Sequence, residues 1–204
     1  MRTQLRETEE MMPKILTVLT DDYADWECGL LHGSGRSYLG LEIETASPGG
    51  RAVRSMGGLL TTTDRDLAGA TPDGFDALVV CGGMIWTTPA APDLSDLLKA
   101  ALGAGRTVAC ICGATLALAR AGLLDDRRHT SNSADFLRTN APAYAGQALY
   151  DPGPRAVSDR GVVTAAGTAP VSFAVEVFRA VLPDRQEETA AFAAMLGGEH
   201  RPPA

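Results

Sequence analysis

Cys112 sits where an apolar run turns into a helix with no linker between them. The segment TVACICGATLALARAGLL, Thr107 to Leu124, opens with the β-branched, apolar composition of a buried parallel strand. From Gly113 onward Ala, Leu and Arg take over, all strong helix formers. This switch predicts an elbow, with Cys112 at the turn and its side chain held out at the carboxyl end of a sheet. An elbow of this kind forces the backbone into a disfavoured region. A thiol there also feels the positive end of the helix dipole, which favours the thiolate. The chemistry implied is nucleophilic attack by sulfur. The plainer alternative is a small buried hydrophobe, a common fate of a free cysteine.

Other candidates surround this one. Gly82 and Gly83 follow the run FDALVVC, Phe75 to Cys81, and leave bare backbone N–H groups at a strand end. With the amide of Gly113 they are expected to form an oxyanion hole for a developing negative charge. Glu27 lies on an early helix beside Trp26 and ahead of Gly29-Leu30-Leu31, a stretch expected to face the protein. A carboxyl buried next to a thiol has its pKa raised by desolvation and can share a proton with the sulfur. Trp86, followed by Thr87 and Thr88, is a candidate pocket wall or equally a surface or interface aromatic. His129 is either a base at the site or a structural imidazole, and His32 is expected to be packed or solvated. Asn132 either orients a substrate carbonyl or water, or caps the helix that Ser133 opens.

The elements that must position these residues alternate. Lys14–Thr20 reads as a buried strand and Tyr23–Leu41 as a helix, followed by a strand over Glu42–Ala46 and a turn at Ser47–Gly50. A hairpin-like excursion is expected within Arg51–Thr63, a buried strand over Phe75–Cys81 and a helix over Pro92–Ala104. After the elbow helix come a brief strand at Arg127–Thr130 and a short helix at Ser133–Asn140. A strand at Gly161–Ala166 and helices over Val171–Leu182 and Asp184–Leu196 complete the chain. Strands alternating with helices imply an α/β three-layer sandwich around a central, mostly parallel sheet. In such sheets the site lies at the carboxyl ends of the strands, near the point where strand order reverses.

The chain has 204 residues and reads as one domain over residues 13–204, preceded by a disordered extension over residues 1–12. The extension has no apolar core of signal-peptide length. A net charge of −7 argues against nucleic acid or an anionic membrane as partner, and no apolar run is long enough to span a bilayer. The partner expected is a small-molecule substrate. The four cysteines, at 28, 81, 110 and 112, lack zinc-finger spacing, and neither a metal nor another cofactor is expected. Free thiols in a cytoplasmic setting follow. Cys112 is expected to react first and Cys110 to lie in the core, with Cys81 or Cys28 near enough to trap an oxidised Cys112.

The order of strand, DDYADWE helix, VVCGG, ACICGAT and GTAP resembles the ThiJ/PfpI superfamily, relatives of the class I glutamine amidotransferases. The likeness covers Lys14 to Leu182, and ICGATLALARAGLL and VVTAAGTAPVSFAVEV are its most specific parts. It is closest to a branch described as protease I-like. The resemblance implies a flavodoxin-like fold, a homodimer, and a glutamate, here Glu27, hydrogen-bonded to the elbow cysteine, here Cys112. It also implies glyoxalase or deglycase, isocyanide hydratase, amidase or peptidase activity, among which the residues do not choose. The chain departs from the pattern in its histidines. Where many members carry a histidine after the cysteine it has Gly113, and where others carry one some twenty residues on it has Asn132. The late His-x-Glu pair of glutamine amidotransferases is missing, since His200 is followed by Arg201-Pro202. The expected function is therefore a cysteine-dependent hydrolase, hydratase or lyase acting on a small carbonyl-like electrophile through Cys112 and Glu27. The alternative is a redox-sensing or stress-protective protein with an oxidisable Cys112.

Overall fold

A computed structural model describes residues 12–200. The expected extension over residues 1–12 lies outside the described residues except for Met12. Fifteen regular elements follow in chain order: β1 (Lys14–Val18), α1 (Asp25–Leu39), β2 (Glu42–Ser47), β3 (Val53–Arg54), β4 (Leu60–Thr61), β5 (Arg65–Asp66), β6 (Ala77–Val80) and α2 (Ser95–Gly103). Then come β7 (Thr107–Ile111), α3 (Thr115–Arg120), α4 (Ala134–Asn140), β8 (Val157–Asp159), β9 (Val162–Ala165), α5 (Pro170–Val181) and α6 (Gln186–Leu196).

Seven strands form one sheet in the order β5-β2-β1-β6-β7-β9-β8, parallel throughout except where β8 meets β9. Strands β1, β6, β7 and β9 are mostly apolar and buried along nearly all their length because helices cover both faces. On one face Leu31 of α1, Phe173 and Phe178 of α5 and Phe192 of α6 pack over Ile15, Val79 and Ile111. On the other, Leu98 of α2, Leu116 of α3 and Leu137 of α4 pack over Leu16, Val80 and Val108. Three layers and a flavodoxin-like α/β fold result. The order of the strands reverses between β1 and β6, so the ends of β1, β6 and β7 flank the switch point. No helix among the described residues is long and apolar enough to cross a membrane.

Local departures from the sequence reading have local causes. Residues Cys112–Ala114 form a 3₁₀ turn, and α3 then runs for only six residues, well short of Leu124. Gly122, at φ 72°, takes the chain away from the helical path. The brief strand expected at Arg127–Thr130 is a single bridge, His129 to Tyr150, because Thr130 donates its N–H to the Thr164 hydroxyl instead of to a ladder. The edge strands β5 and β8, of two and three residues, are too short to show a period of two in sequence.

Candidate active site

Three strand ends and one loop converge on Cys112. At the end of β7 the backbone of Cys112 has φ 57°, a left-handed conformation that a non-glycine residue rarely holds. The Thr115 hydroxyl hydrogen-bonds the Cys112 carbonyl and the Ser131 hydroxyl, both at 2.7 Å, tying the elbow to the loop that carries Asn132. The sulfur is half-buried, while Cys28, Cys81 and Cys110 are buried.

After β1 the chain turns through Asp22, also left-handed at φ 57°, and enters α1. The Ala24 N–H donates to the Gly82 carbonyl at 3.0 Å, which lays the start of α1 against the end of β6. Glu27, one turn into α1, is thereby buried, and its Oε2 accepts the Gly82 N–H at 2.9 Å. Its Oε1 is buried without a hydrogen-bond partner and flanks the same point as the Cys112 sulfur, a Cβ on Gly167 lying 2.8 Å from the one and 2.9 Å from the other. Gly82 is required at this approach. A Cβ there would lie 2.2 Å from Glu27 Oε2 and 2.6 Å from the Cys112 Cβ. Because Glu27 takes its N–H, Gly82 is not free to join the oxyanion hole expected of Gly82, Gly83 and Gly113. Gly83 keeps an extended backbone, and its carbonyl lies close to Gly113.

Asn132 reaches the sulfur from the opposite side, its Nδ2 donating to Cys112 Sγ at 3.3 Å. Its Oδ1 accepts the Gly167 N–H at 3.0 Å, which fixes the amide so that the NH₂ group faces the sulfur. Gly167, just past β9, completes the arrangement by accepting the Trp26 Nε1–H at 3.0 Å through its carbonyl. Ser133 caps α4, accepting the Phe136 N–H, so the capping alternative for Asn132 falls to its neighbour.

Electrostatics couple the two titratable groups. Burial pushes the Glu27 carboxyl up to about 7, opposed by hydrogen bonds from Cys112 and the Gly82 N–H. Burial and then the charge of Glu27 push the Cys112 thiol up to about 11, opposed by the Asn132 amide and the Gly113 N–H. The direction is opposite to the lowering expected from a helix dipole. A 3₁₀ turn leading into a helix of six residues offers a weak dipole, and burial of the sulfur, followed by the Glu27 charge beside it, outweighs it. Between those two values the carboxyl is ionised and the thiol keeps its proton, so the pair carries one negative charge and its two titration steps are coupled.

Several sequence candidates lie elsewhere. Trp86 is fully buried in the core, its Nε1–H donating to the Cys81 carbonyl at 3.0 Å, and does not line the cavity. Trp26 does line it, and contrary to expectation is half exposed. His129 is buried, with Nδ1 on the Arg127 carbonyl and Nε2 on the Tyr144 hydroxyl, and is not a base for Cys112. His32 pairs with the Thr17 hydroxyl, and burial lowers its pKa to about 4. Cys28 and Cys81 pack with Leu19, Tyr23 and Val53 in a separate cluster, and the Cys81 thiol donates to the Ala24 carbonyl. Burial raises the Cys110 thiol far above the usual range. Sequence reasoning missed Gly167, which carries no functional group. Its GTAP segment and its position two residues past a buried strand were the available signal.

Comparison with known proteins places this geometry among relatives. Residues 13–180 match the model of the DJ-1/PfpI family. The "uncharacterized protease YoaZ" of Bacillus subtilis is 36% identical over 173 residues, spanning 81% of this chain and 82% of that protein. A DJ-1 superfamily protein of Agrobacterium tumefaciens has a crystal structure that superimposes with a TM-score of 0.88 at 46% identity, covering 93% of this chain and 100% of that one. A thiJ/pfpI family protein of Bacillus anthracis gives 0.82 at 32% identity, covering 94% and 92%.

Proposed function

The chain belongs to the DJ-1/PfpI family, and from that premise we propose that it is an enzyme in which Cys112 adds to a small carbonyl-like electrophile and Glu27 moves the proton. The observation that carries the reading is a left-handed elbow thiol beside a buried carboxyl whose Oε1 has no hydrogen-bond partner. Glu27 takes the thiol proton as sulfur attacks the carbonyl carbon, the C=O π pair moves to oxygen, and Glu27 returns the proton there to give a hemithioacetal. The N–H groups of Gly83 and Gly113 stabilise the oxygen while it is charged. Asn132 orients the sulfur and stabilises the negative charge it gains as it attacks. The relative named as a protease raises peptides as an alternative substrate, but no histidine among the described residues lines the cavity to protonate a departing amine. The same lack favours a second reading, reversible oxidation of Cys112 as a signal.

One pair of measurements separates the two. Methylglyoxal should disappear in the presence of the protein and persist when Cys112 has been alkylated beforehand. Persistence with the unmodified protein, together with thiol-reversible oxygen uptake at Cys112 in mild peroxide by intact mass, would replace the enzyme with the sensor.

A further inference from the structure

The cavity over Cys112 is small and apolar. Its volume is about 200 Å³, below the roughly 300–1,000 Å³ of sites for drug-sized ligands. Trp26, Met56, Met84 and Phe136 form much of its wall, and the first three stand 51%, 46% and 61% exposed. Met56 is held there by the hairpin joining β3 to β4. Its N–H donates to the Tyr23 carbonyl at 2.9 Å, and the Gly57 N–H donates to Asp25 Oδ2 at 2.7 Å. These apolar side chains line the space over the sulfur rather than folding into the core.

The wall carries no Lys, Arg or His. Its ionisable groups are Cys112 and Glu27, which hold one negative charge between them from about pH 7 to about 11. The side-chain donors are engaged, the Thr87 hydroxyl on the Met84 carbonyl and the Asn132 amide on the sulfur, which leaves the Gly83 and Gly113 N–H groups to the reacting oxygen. Arg120, on α3 behind the elbow, is turned to the carbonyls of Trp86 and Asn140. A carboxylate entering this space would lose its water with no cation to replace it. It would also meet an existing negative charge through a medium of reduced dielectric constant.

We infer that the cavity selects uncharged electrophiles bearing a small apolar group and rejects those bearing a carboxylate, with Met56, Met84 and Phe136 as the specificity wall. The inference rests on Cys112 being a nucleophile, and the test keeps the two apart. Rates of Cys112 alkylation at pH 8 by iodoacetamide, iodoacetate and iodoacetanilide are compared with those of 2-mercaptoethanol, with peptide mapping to assign the site. The preference for iodoacetamide over iodoacetate should exceed that of 2-mercaptoethanol by at least about tenfold. Iodoacetanilide should gain about fivefold over iodoacetamide on the same scale. Met84→Lys, at an exposed rim position, should raise the iodoacetate rate selectively. Ratios equal to those of 2-mercaptoethanol would overturn the inference and leave the nucleophile standing. Rates that fall together as the protein is concentrated would assign the rim to a second copy of the chain, and would overturn it too. No alkylation of Cys112 by any reagent would remove both readings.

Discussion

Truncating Trp86 to alanine is expected to lower folding stability by about 3–5 kcal/mol, out of a total of about 5–15 kcal/mol for a domain. The side chain is fully buried in the cluster that includes Leu94, Leu98 and Leu116. Its removal leaves a cavity and strips the Cys81 carbonyl of its donor. The damage should extend to the elbow, because a Cβ on Gly113 would touch the Trp86 Cβ at 3.1 Å, so the indole backs the turn. Urea unfolding monitored by circular dichroism gives the value. A loss below about 1 kcal/mol would mean that the indole is not core, and would return Trp86 to the pocket wall.

Gly167→Ala should slow Cys112 alkylation and methylglyoxal loss by about 100-fold or more. The new methyl would lie 2.8 Å from Glu27 Oε1 and 2.9 Å from Cys112 Sγ, so one group must give way. Its backbone does not need glycine's freedom, since its φ is not left-handed, and the expected stability cost is only about 1–3 kcal/mol. The variant thus folds while the thiol and carboxyl are prised apart. An unchanged alkylation rate would show that their contact does not govern the reactivity of Cys112.

Much of this was legible in the chain. Strands β1, β6, β7 and β9 are short apolar runs rich in β-branched residues, and the break at Cys112 marks the elbow directly. Glu27 was legible as buried because apolar residues follow it. The two tryptophans were not distinguishable. Trp86 lies on a 3₁₀ turn and Trp26 in the first turn of α1, and neither setting has a periodicity that tells which way the ring faces. Gly167 was invisible as a site residue because it contributes space and backbone groups only. The raised thiol of Cys112 depends on how closely a distant carboxyl packs, a quantity that spacing does not carry. The short edge strands β5 and β8 are fixed by their neighbours rather than by their own composition.

The proposed chemistry needs the Glu27 carboxylate to take the Cys112 thiol proton as sulfur attacks. From about pH 7 to about 11 the pair is a carboxylate beside a protonated thiol, and the population of that form, in which Glu27 can take the proton, does not change with pH. Below about 7 the carboxyl is protonated and the form able to act as base falls with pH. The direct measurement is the pH dependence of Cys112 alkylation by iodoacetamide in the wild type and in Glu27→Gln. Glutamine can keep the bond from the Gly82 N–H while removing both the charge and the base. The wild-type rate should climb to about pH 7 and then stay flat through the mildly alkaline range, whereas the glutamine variant should rise through that range without a plateau. A single continuous rise in both proteins, at the pH of an ordinary thiol, would contradict proton transfer to Glu27 and with it the catalytic role of Glu27.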